Sequence, residues 1–332
     1  MQTRTLGRSG IAVSIVGLGT NNFGDRTDFA ASAKVLYRAL DLGITLIDTA
    51  DAYGKTHGAS EEIIGRLLGP RRKDVVLATK FGIEPGRRGR GRGRASRAYI
   101  MEAVEASLKR LRTDWIDLYQ VHQPDPETPI EETLGALDDL VKAGKVRAVG
   151  CSNFSADRVE AAMGVAQARG LTAFVAAQDQ YSLLARGIER ALLPALARHG
   201  LALLPYFPLA SGLLTGKYKP GAAMPEGSRL SYSQRHIARF VTETNWRMVE
   251  ALQAFCDARG RGLLELAFGW LVGNPRVASV IAGATRPEQL DANVRAVDWA
   301  LTPAERAEVE RITEAATDPG QGRIREGDGA AA

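Results

Sequence analysis

Four polar residues of complementary chemistry follow short apolar segments in the first half of the chain. Asp48 closes the segment TLID, Tyr53 comes five residues later, Lys80 follows VVLAT and His122 follows IDLYQV. A tyrosine donates a proton poorly at neutral pH because its ordinary pKa is about 10, and a neighbouring ammonium lowers that pKa. We therefore expect Lys80 to lower the pKa of Tyr53, Asp48 to keep Lys80 charged, and the imidazole to bind a carbonyl oxygen. Each residue alone is typical of ordinary structure, but their succession predicts proton transfer to a carbonyl group.

The segments that carry these residues belong to a regular alternation of β-like and helical patterns, typical of βα units and a parallel sheet. Expected strands span residues 16–20, 45–48, 75–80, 116–122, 146–153, 174–178, 201–207 and 277–283, after a short N-terminal hairpin. Eight such units predict an α/β fold of the (β/α)8 TIM-barrel type, with function at the carboxyl ends of the strands. A Rossmann fold is disfavoured because the first segment, VGLGT, lacks the GxGxxG pattern.

Six motifs occur in order along the chain: IDTADAYG, LATKFG, DLYQVHQPDP, VGCSNF, YFPLASGLLTGKY and IAGATRPEQLDAN. Through them the sequence closely resembles the aldo-keto reductases over about residues 3–315. The resemblance implies a barrel that binds NAD(P)H and reduces an aldehyde or ketone to an alcohol, or catalyses the reverse reaction. It also implies that Asp48, Tyr53, Lys80 and His122 form the catalytic tetrad, with Tyr53 as the acid.

The same resemblance implies where the cofactor binds. Ser152, Asn153 and Gln178 match residues that hold the nicotinamide carboxamide, and Tyr206 matches the ring that stacks on the nicotinamide face. The stretch after the seventh barrel strand matches the segment that wraps the pyrophosphate. The remaining implied cofactor positions are Gly19, Thr20, Asn21, Leu209, Ser211, Gly212, Leu213, Lys217, Gly283, Thr285, Arg286, Gln289 and Asn293.

The turn after the last strand bears on the choice between NADPH and NADH. In many family members this turn binds the adenosine 2′-phosphate, and a guanidinium suits a phosphate. Arg286 stands there, near a predicted helix N-terminus that also favours anions. We therefore expect NADPH to be preferred, with NADH possible. The best-known animal members have a Lys-Ser pair where this chain has Gly283-Ala284, so Arg286 carries the basic contact alone.

Substrate choice is expected to depend on loops over the mouth of the barrel. Candidate pocket residues are Phe23, Phe81, Gln123 and Phe207, together with the segment 225–240. Core packing is an equally good interpretation of Phe23 and Phe207. Small aldehydes, sugar ketones and bulkier keto compounds all fit these motifs.

Composition argues against several other classes of protein. The chain has 332 residues, of which 45% are apolar and 24% charged, without an apolar run long enough for a membrane span or a signal peptide. We expect a cytoplasmic protein with a small-molecule carbonyl substrate and no membrane partner. Two cysteines, Cys151 and Cys256, predict neither a disulfide framework nor a metal site. The net charge of +5 comes from six arginines within 87–97, so no nucleic-acid partner is expected.

We expect one domain over residues 1–315 and a flexible polar tail over 316–332. Ser60 and Ser96 are expected to cap helices. Besides a reductase, a nucleotide-binding regulatory subunit with weak catalysis remains open, because the family includes such members. A third alternative is a scaffold that binds partners through the arginine-rich segment 87–97. The other interpretations of this segment are a solvated loop and a loop that attracts an anionic cofactor or substrate.

Overall fold

Eight parallel strands form a nearly closed barrel, as the sequence predicts. The computed structural model describes residues 1–83 and 93–317. Each barrel strand pairs with the next along the chain, the last pairs with the first, and a bridge between Leu203 and Val277 spans the remaining gap. The strands are β1 (Thr3–Thr5) and β2 (Ala12–Ser14) in the hairpin, then β3 (Val16–Gly19), β4 (Leu46–Asp48), β5 (Val76–Phe81), β6 (Ile116–Val121), β7 (Val146–Ser152), β8 (Ala176–Gln180), β9 (Ala202–Tyr206) and β10 (Val280–Gly283) in the barrel.

The hairpin of β1 and β2 covers the amino-terminal end of the barrel. Leu6, Ile11 and Val13 are buried and pack with inward-facing apolar side chains of the barrel strands. Gly7 turns the chain with a φ of 51°, and a Cβ at this position would collide with the carbonyl oxygen of Val175. The hairpin thereby removes apolar surface from water at this end. Ligand access is left to the carboxyl end.

Helices connect successive strands and bury their apolar faces against the outside of the barrel. Ser96 caps α3, as predicted, by accepting a hydrogen bond from Tyr99 N. The predicted cap at Ser60 is wrong: Gly58 precedes the helix, and Ser60 is buried and bonded to Thr20 and Thr49 instead. The helices are α1 (Phe29–Asp41), α2 (Ala59–Leu68), α3 (Arg97–Leu111), α4 (Ile130–Lys142), α5 (Ala156–Arg169), α6 (Leu192–His199), α7 (Arg229–Tyr232), α8 (Gln234–Phe240), α9 (Glu243–Asp257), α10 (Leu263–Val272), α11 (Pro287–Arg295) and α12 (Pro303–Ile312), with 3₁₀ turns at Gly69–Asp74, Gly187–Glu189, Ala210–Thr215, Ala296–Asp298 and Glu314–Thr317.

Strand register brings distant residues together at the carboxyl end. Gly19 pairs with Asp48 across β3 and β4, and Ser152 pairs with Gln178 across β7 and β8. Because all eight strands are parallel, their last residues lie around one opening. Gly19, Asp48, Ser152 and Gln178 therefore face a common space.

Two expectations fall partly outside the described residues. Of the arginine-rich segment, Arg94 and Arg97 are described, whereas Arg87, Arg88, Arg90 and Arg92 are not.

The predicted tail lies outside the described residues from 318 onward. Ala316 is buried and accepts a hydrogen bond of 2.8 Å from Arg186 N, because a 3₁₀ turn packs there. The packed part of the chain therefore extends past the predicted boundary at 315. Over the ranges that the structure describes, every helix is too short or too polar to cross a bilayer.

Candidate active site

A cavity of about 720 Å³ opens at the carboxyl ends of the barrel strands. This volume suits a small-molecule ligand. The wall is formed by strand ends and by the loops after β4, β6, β9 and β10. Predicted site residues in the wall are Gly19, Asn21, Asp48, Tyr53, His122, Gln123, Ser152, Asn153, Gln178, Tyr206, Phe207, Leu209, Ser211, Gly212, Lys217, Gly283, Thr285, Arg286, Gln289 and Asn293.

Lys80 lies just beneath the cavity wall and joins two of the other tetrad residues. Its Nζ donates to Asp48 Oδ2 at 2.8 Å, to the carbonyl oxygen of Thr49 at 2.8 Å and to the Tyr53 hydroxyl at 3.2 Å. Gln178 Nε2 donates to the second carboxylate oxygen of Asp48 at 2.8 Å. Lys80 and Asp48 are buried, and Tyr53 is partly exposed to the cavity. The phenol is thus the most exposed member of this network.

The charges of this network depend on burial as well as on proximity. Burial alone would lower the pKa of Lys80, but Asp48 and Tyr53 outweigh it and raise that pKa above its usual value. Burial raises the pKa of Tyr53, and Lys80 offsets only part of this rise. The expectation of a lowered pKa for Tyr53 is therefore wrong in its net direction, although the effect of Lys80 has the expected sign. At neutral pH the phenol is protonated and the ammonium is charged.

His122 faces Tyr53 across the cavity floor. The two rings lie 5.8 Å apart in an edge-to-face arrangement with an interplanar angle of 79°. Burial and the nearby charge of Lys80 hold the pKa of His122 well below its usual range, so the imidazole is neutral. Its Nδ1 is buried without a hydrogen-bond partner. A proton on Nε2 avoids a buried N–H without an acceptor, so this tautomer is favoured.

Polar side chains at the ends of β7 and β9 form a second connected group. The Tyr206 hydroxyl donates to Asn153 Oδ1 at 2.7 Å, and Asn153 Nδ2 donates to Ser152 Oγ and to the carbonyl oxygen of His122, both at 3.0 Å. Asn153 adopts a left-handed φ of 62°, which is uncommon for a residue other than glycine. The strained backbone and the shared hydrogen bonds fix these groups before any ligand binds.

The loop after β9 also contains left-handed backbone. Phe207, Ala210 and Ser211 have φ values of 51°, 46° and 57°. Ser211 Oγ is buried without a hydrogen-bond partner. A Cβ on Gly212 would lie within 3.2 Å of the Lys217 and Tyr218 side chains. The loop therefore presents bare backbone and an unsatisfied hydroxyl beside a lysine.

The turn between β10 and α11 forms the far end of the cavity. Gln289 Oε1 accepts hydrogen bonds from Thr285 N at 2.7 Å and from Arg286 N at 3.2 Å. Arg286 is exposed and precedes the first residue of α11. A Cβ on Gly283 would lie 3.2 Å from Asn22 Nδ2. The turn thus combines backbone open to a ligand, a guanidinium and a helix N-terminus.

Besides Lys80, four predicted site residues do not line the cavity. Phe23 and Phe81 are fully buried in the hydrophobic core, so the prediction that they form pocket walls is corrected. Their side chains point into the packing between barrel and helices, a direction that sequence position alone does not fix. Thr20 and Leu213 are buried as well. Thr20 Oγ1 donates to the carbonyl oxygen of Asp48 at 2.9 Å and so supports the site from behind.

The structure adds residues from α7 and α8 that the sequence indicated only as part of the segment 225–240. Arg229, Arg235, His236 and Arg239 line the cavity. Arg229 Nη2 donates to Asn22 Oδ1 at 3.2 Å, linking the loop after β3 to this segment. The sequence has no periodic pattern from which these four side chains could be identified as lining the cavity, because the two short helices follow a long irregular loop.

Comparison with known proteins places the chain in a family. Residues 15–314 match the Aldo/keto reductase family. The chain is 38% identical to a probable voltage-gated potassium channel subunit beta of Arabidopsis thaliana, over 94% of this chain and 96% of that protein. It is 35% identical to L-glyceraldehyde 3-phosphate reductase of Escherichia coli O157:H7, over 90% of this chain and 88% of that protein.

A third relative is aldo-keto reductase YhdN of Bacillus subtilis strain 168, which is 37% identical over 95% of this chain and 94% of that protein. Relatives named as reductases and the family match together support an oxidoreductase that acts on carbonyl groups. The chain, with its barrel and its cavity at the strand ends, belongs to the aldo/keto reductase family.

Proposed function

We propose that this protein is an NADPH-dependent reductase that converts an aldehyde or ketone to an alcohol, and that the reaction is reversible. The observation that carries the proposal is the Lys80 ammonium bonded to both Asp48 and the Tyr53 hydroxyl beneath one cavity. This arrangement presents a protonated phenol to a ligand and stabilises the phenolate that remains after proton transfer.

Tyr53 is the proton donor in this proposal. Its hydroxyl transfers a proton to the carbonyl oxygen as negative charge develops there. Lys80 lies 3.2 Å from the hydroxyl and stabilises the resulting phenolate, while Asp48 keeps the ammonium charged and in place. His122 donates a hydrogen bond from Nε2 to the same carbonyl oxygen and orients it. A neutral imidazole suits this role because it does not compete with Tyr53 as an acid.

The cavity wall fits a nicotinamide dinucleotide, and family members generally use such cofactors. Ser152, Asn153 and Gln178 would hold the carboxamide, and the partly exposed ring of Tyr206 would lie against the nicotinamide. The unsatisfied hydroxyl of Ser211 and the bare backbone at Gly212 suit the pyrophosphate. When bound, the reduced cofactor supplies the hydride to the carbonyl carbon.

Charges on the wall favour NADPH over NADH. Lys217 and Arg229 stand beside the loop after β9 and would neutralise the pyrophosphate. Arg286, next to the N-terminus of α11, would then be available to the 2′-phosphate. NADH lacks that phosphate, so this arginine would not strengthen its binding.

A nucleotide-binding regulatory subunit with weak catalysis is the second candidate. The similarity to the Arabidopsis relative, named as a probable channel subunit, favours it. An intact tetrad is compatible with both functions. Turnover therefore separates them better than cofactor binding does.

The deciding experiment measures NADPH consumption with a panel of aldehydes, sugars and bulky ketones, alongside Tyr53→Phe. We expect the variant to lose a factor of about 10²–10⁴ in kcat/KM, the usual contribution of a general acid, while NADPH binding measured by fluorescence is retained. Equal rates for both proteins would refute Tyr53 as the donor. A parent protein that binds NADPH and reduces no member of the panel would favour the regulatory subunit.

A further inference from the structure

Behind the tetrad, a buried network of three hydroxyl groups joins the ends of two barrel strands to a helix. Thr20 comes directly after β3, Thr49 comes directly after β4, and Ser60 is the second residue of α2. All three residues are fully buried. A buried hydroxyl costs free energy unless it is hydrogen-bonded, so the bonds within this network hold the three segments together.

Ser60 lies at the centre of this network. Its Oγ accepts a hydrogen bond from Thr49 Oγ1 at 2.9 Å. The same Oγ donates to Thr20, whose hydroxyl oxygen lies at 2.9 Å and whose carbonyl oxygen lies at 3.0 Å. The backbone N–H of Ser60 donates to the carbonyl oxygen of Tyr53 at 3.1 Å. One serine thus contacts the residues that follow both strands and the backbone of the residue that we assign as the proton donor.

Through the two threonines the network reaches the buried ion pair of the tetrad. Thr20 donates to the carbonyl oxygen of Asp48 from both its N and its Oγ1, each at 2.9 Å. The carbonyl oxygen of Thr49 accepts a hydrogen bond of 2.8 Å from Lys80 Nζ. Lys80 Nζ also donates to Asp48 Oδ2 and to the Tyr53 hydroxyl. The position of the ammonium therefore depends on backbone that the hydroxyl network holds.

The first turn of α2, which carries Ser60, is itself fixed in place. Glu61 is fully buried and accepts hydrogen bonds from Thr79 Oγ1 at 2.6 Å and from Arg110 Nε at 2.7 Å. This turn also packs closely against the loop after β4, because a Cβ on Gly54 would lie only 2.6 Å from the Cβ of α2's first residue. A hydroxyl on such a rigid element can hold its hydrogen-bond partners in a defined position.

We propose that Ser60 is a positioning residue of the tetrad, which acts through Thr20 and Thr49 to hold the Lys80 ammonium within hydrogen-bond distance of the Tyr53 hydroxyl. The inference rests on the proposed reductase function and gives a role to a residue that does not line the cavity. Lys80 stabilises the phenolate of Tyr53 only at short range, because the hydrogen bond and the attraction between the charges weaken with distance.

The test compares Ser60→Ala with Ser14→Ala, because Ser14 is an equally buried serine that joins the same two strands at their amino ends. Ser14 Oγ donates to the carbonyl oxygen of Val16 at 2.6 Å and accepts from Thr45 N at 2.9 Å. In single turnovers at saturating carbonyl compound, we expect Ser60→Ala to lower the rate constant of NADPH oxidation by about tenfold or more and to leave the Kd for NADPH unchanged. Ser14→Ala should keep the parent rate constant in the folded protein. The parent rate constant in Ser60→Ala, or an equal loss in Ser14→Ala, would overturn the proposal.

A second pair of variants separates hydrogen bonding from packing. Thr20→Val keeps the shape of the side chain and removes its hydroxyl, whereas Thr20→Ser keeps the hydroxyl. We expect the single-turnover rate constant to fall by about tenfold in Thr20→Val and to keep the parent value in Thr20→Ser. Because Thr20 and Ser60 share hydrogen bonds, Ser60→Ala combined with Thr20→Val should lose less than the product of the two single losses. Equal losses in the two Thr20 variants would contradict the proposal.

Crystal structures of Ser60→Ala and Ser14→Ala separate this proposal from the reductase function. We expect the distance from Lys80 Nζ to the Tyr53 hydroxyl to lengthen from 3.2 Å to beyond about 3.5 Å in Ser60→Ala and to stay unchanged in Ser14→Ala. Such a lengthening, together with a parent protein that reduces no carbonyl compound, would support the positioning role and refute the reductase function alone. Turnover by the parent, together with an unchanged distance and rate constant in Ser60→Ala, would refute the positioning role alone.

Discussion

Two buried ion pairs occupy opposite ends of the barrel. Lys80 and Asp48 pair at the carboxyl ends of the strands, and Arg72 and Asp117 pair near the amino ends, each with an N–O distance of 2.8 Å. We call Lys80–Asp48 the upper pair and Arg72–Asp117 the lower pair. In the lower pair, protein groups surround both partners. Arg72 donates to Thr113 Oγ1 and to the carbonyl oxygens of Val75 and Trp115, and Asp117 accepts from Leu77 N, Trp115 Nε1 and Arg147 Nη1.

The upper pair differs because its network ends at a cavity. Lys80 donates one hydrogen bond to the hydroxyl of Tyr53, a residue that is partly exposed to the cavity. Nδ1 of His122 is buried without a hydrogen-bond partner. Both pairs are fully hydrogen-bonded, but only in the upper pair does one of these bonds go to a hydroxyl group that faces the cavity. Under the proposed function, the same type of interaction stabilises the fold at one end and prepares a reaction at the other.

The largest expected effect comes from Asp48→Asn. Without its counter-charge the buried Lys80 loses a proton more readily and no longer stabilises the phenolate of Tyr53. We expect kcat/KM for carbonyl reduction to fall by about 10²–10⁴-fold. Steady-state kinetics on purified folded protein measure this. A variant with the parent kcat/KM would show that the upper pair is only structural.

The matched substitution in the lower pair is Asp117→Asn. It leaves Arg72 buried without its carboxylate, and we expect a loss of about 3–5 kcal/mol in the free energy of unfolding. Below the unfolding transition, kcat/KM should equal that of the parent. Urea denaturation and kinetics on the same preparation test both statements. A large loss of activity in the folded protein would contradict the division between the two ends.

The pH profile sharpens the comparison further. Burial raises the pKa of Tyr53, and His122 has a pKa well below its usual range, so neither group titrates near neutrality. Because reduction needs the protonated phenol, kcat/KM should be flat from about pH 6 to 8 and fall only as the pH rises past the ordinary tyrosine value of about 10. Asp117→Asn should reproduce this profile. A decline between pH 6 and 8 would assign the proton to another group.

The smallest expected effect is on cofactor binding, and it is tested by replacing one exposed arginine at each end of the barrel. Arg286→Ala should raise the Kd for NADPH by about tenfold while changing that for NADH little, because only NADPH carries the 2′-phosphate. Arg147→Ala, which removes an exposed arginine bonded to Asp117, serves as the control and should leave both constants unchanged. Equal losses for the two cofactors in Arg286→Ala would refute its assignment to the 2′-phosphate.

The succession of strands and of polar residues at their ends was predictable from the sequence. Parallel strands bury both faces and therefore read as apolar runs, and the residues that end these runs lie at the carboxyl end of the barrel. The predicted strands 45–48 and 116–122 differ from Leu46–Asp48 and Ile116–Val121 by one residue. Asp48 and His122 were located for this reason.

The direction of individual side chains was less predictable than the order of the strands. Phe23 and Phe81 lie next to the site in sequence but point into the core, whereas Arg235 and Arg239 lie far from the tetrad in sequence but line the cavity. Hydrophobicity favours a buried phenylalanine in either position, so residue type does not distinguish a pocket wall from the core.

The sequence by itself determined the barrel, the order of its strands and the presence of a lysine, an aspartate, a tyrosine and a histidine near its mouth. Only the tertiary structure decided that Lys80 contacts both Asp48 and Tyr53, and that burial outweighs the ammonium in setting the pKa of Tyr53. It also decided that α8 turns its arginines toward the site. Periodicity is a local property of the chain, whereas desolvation and contact depend on atoms brought together from distant segments.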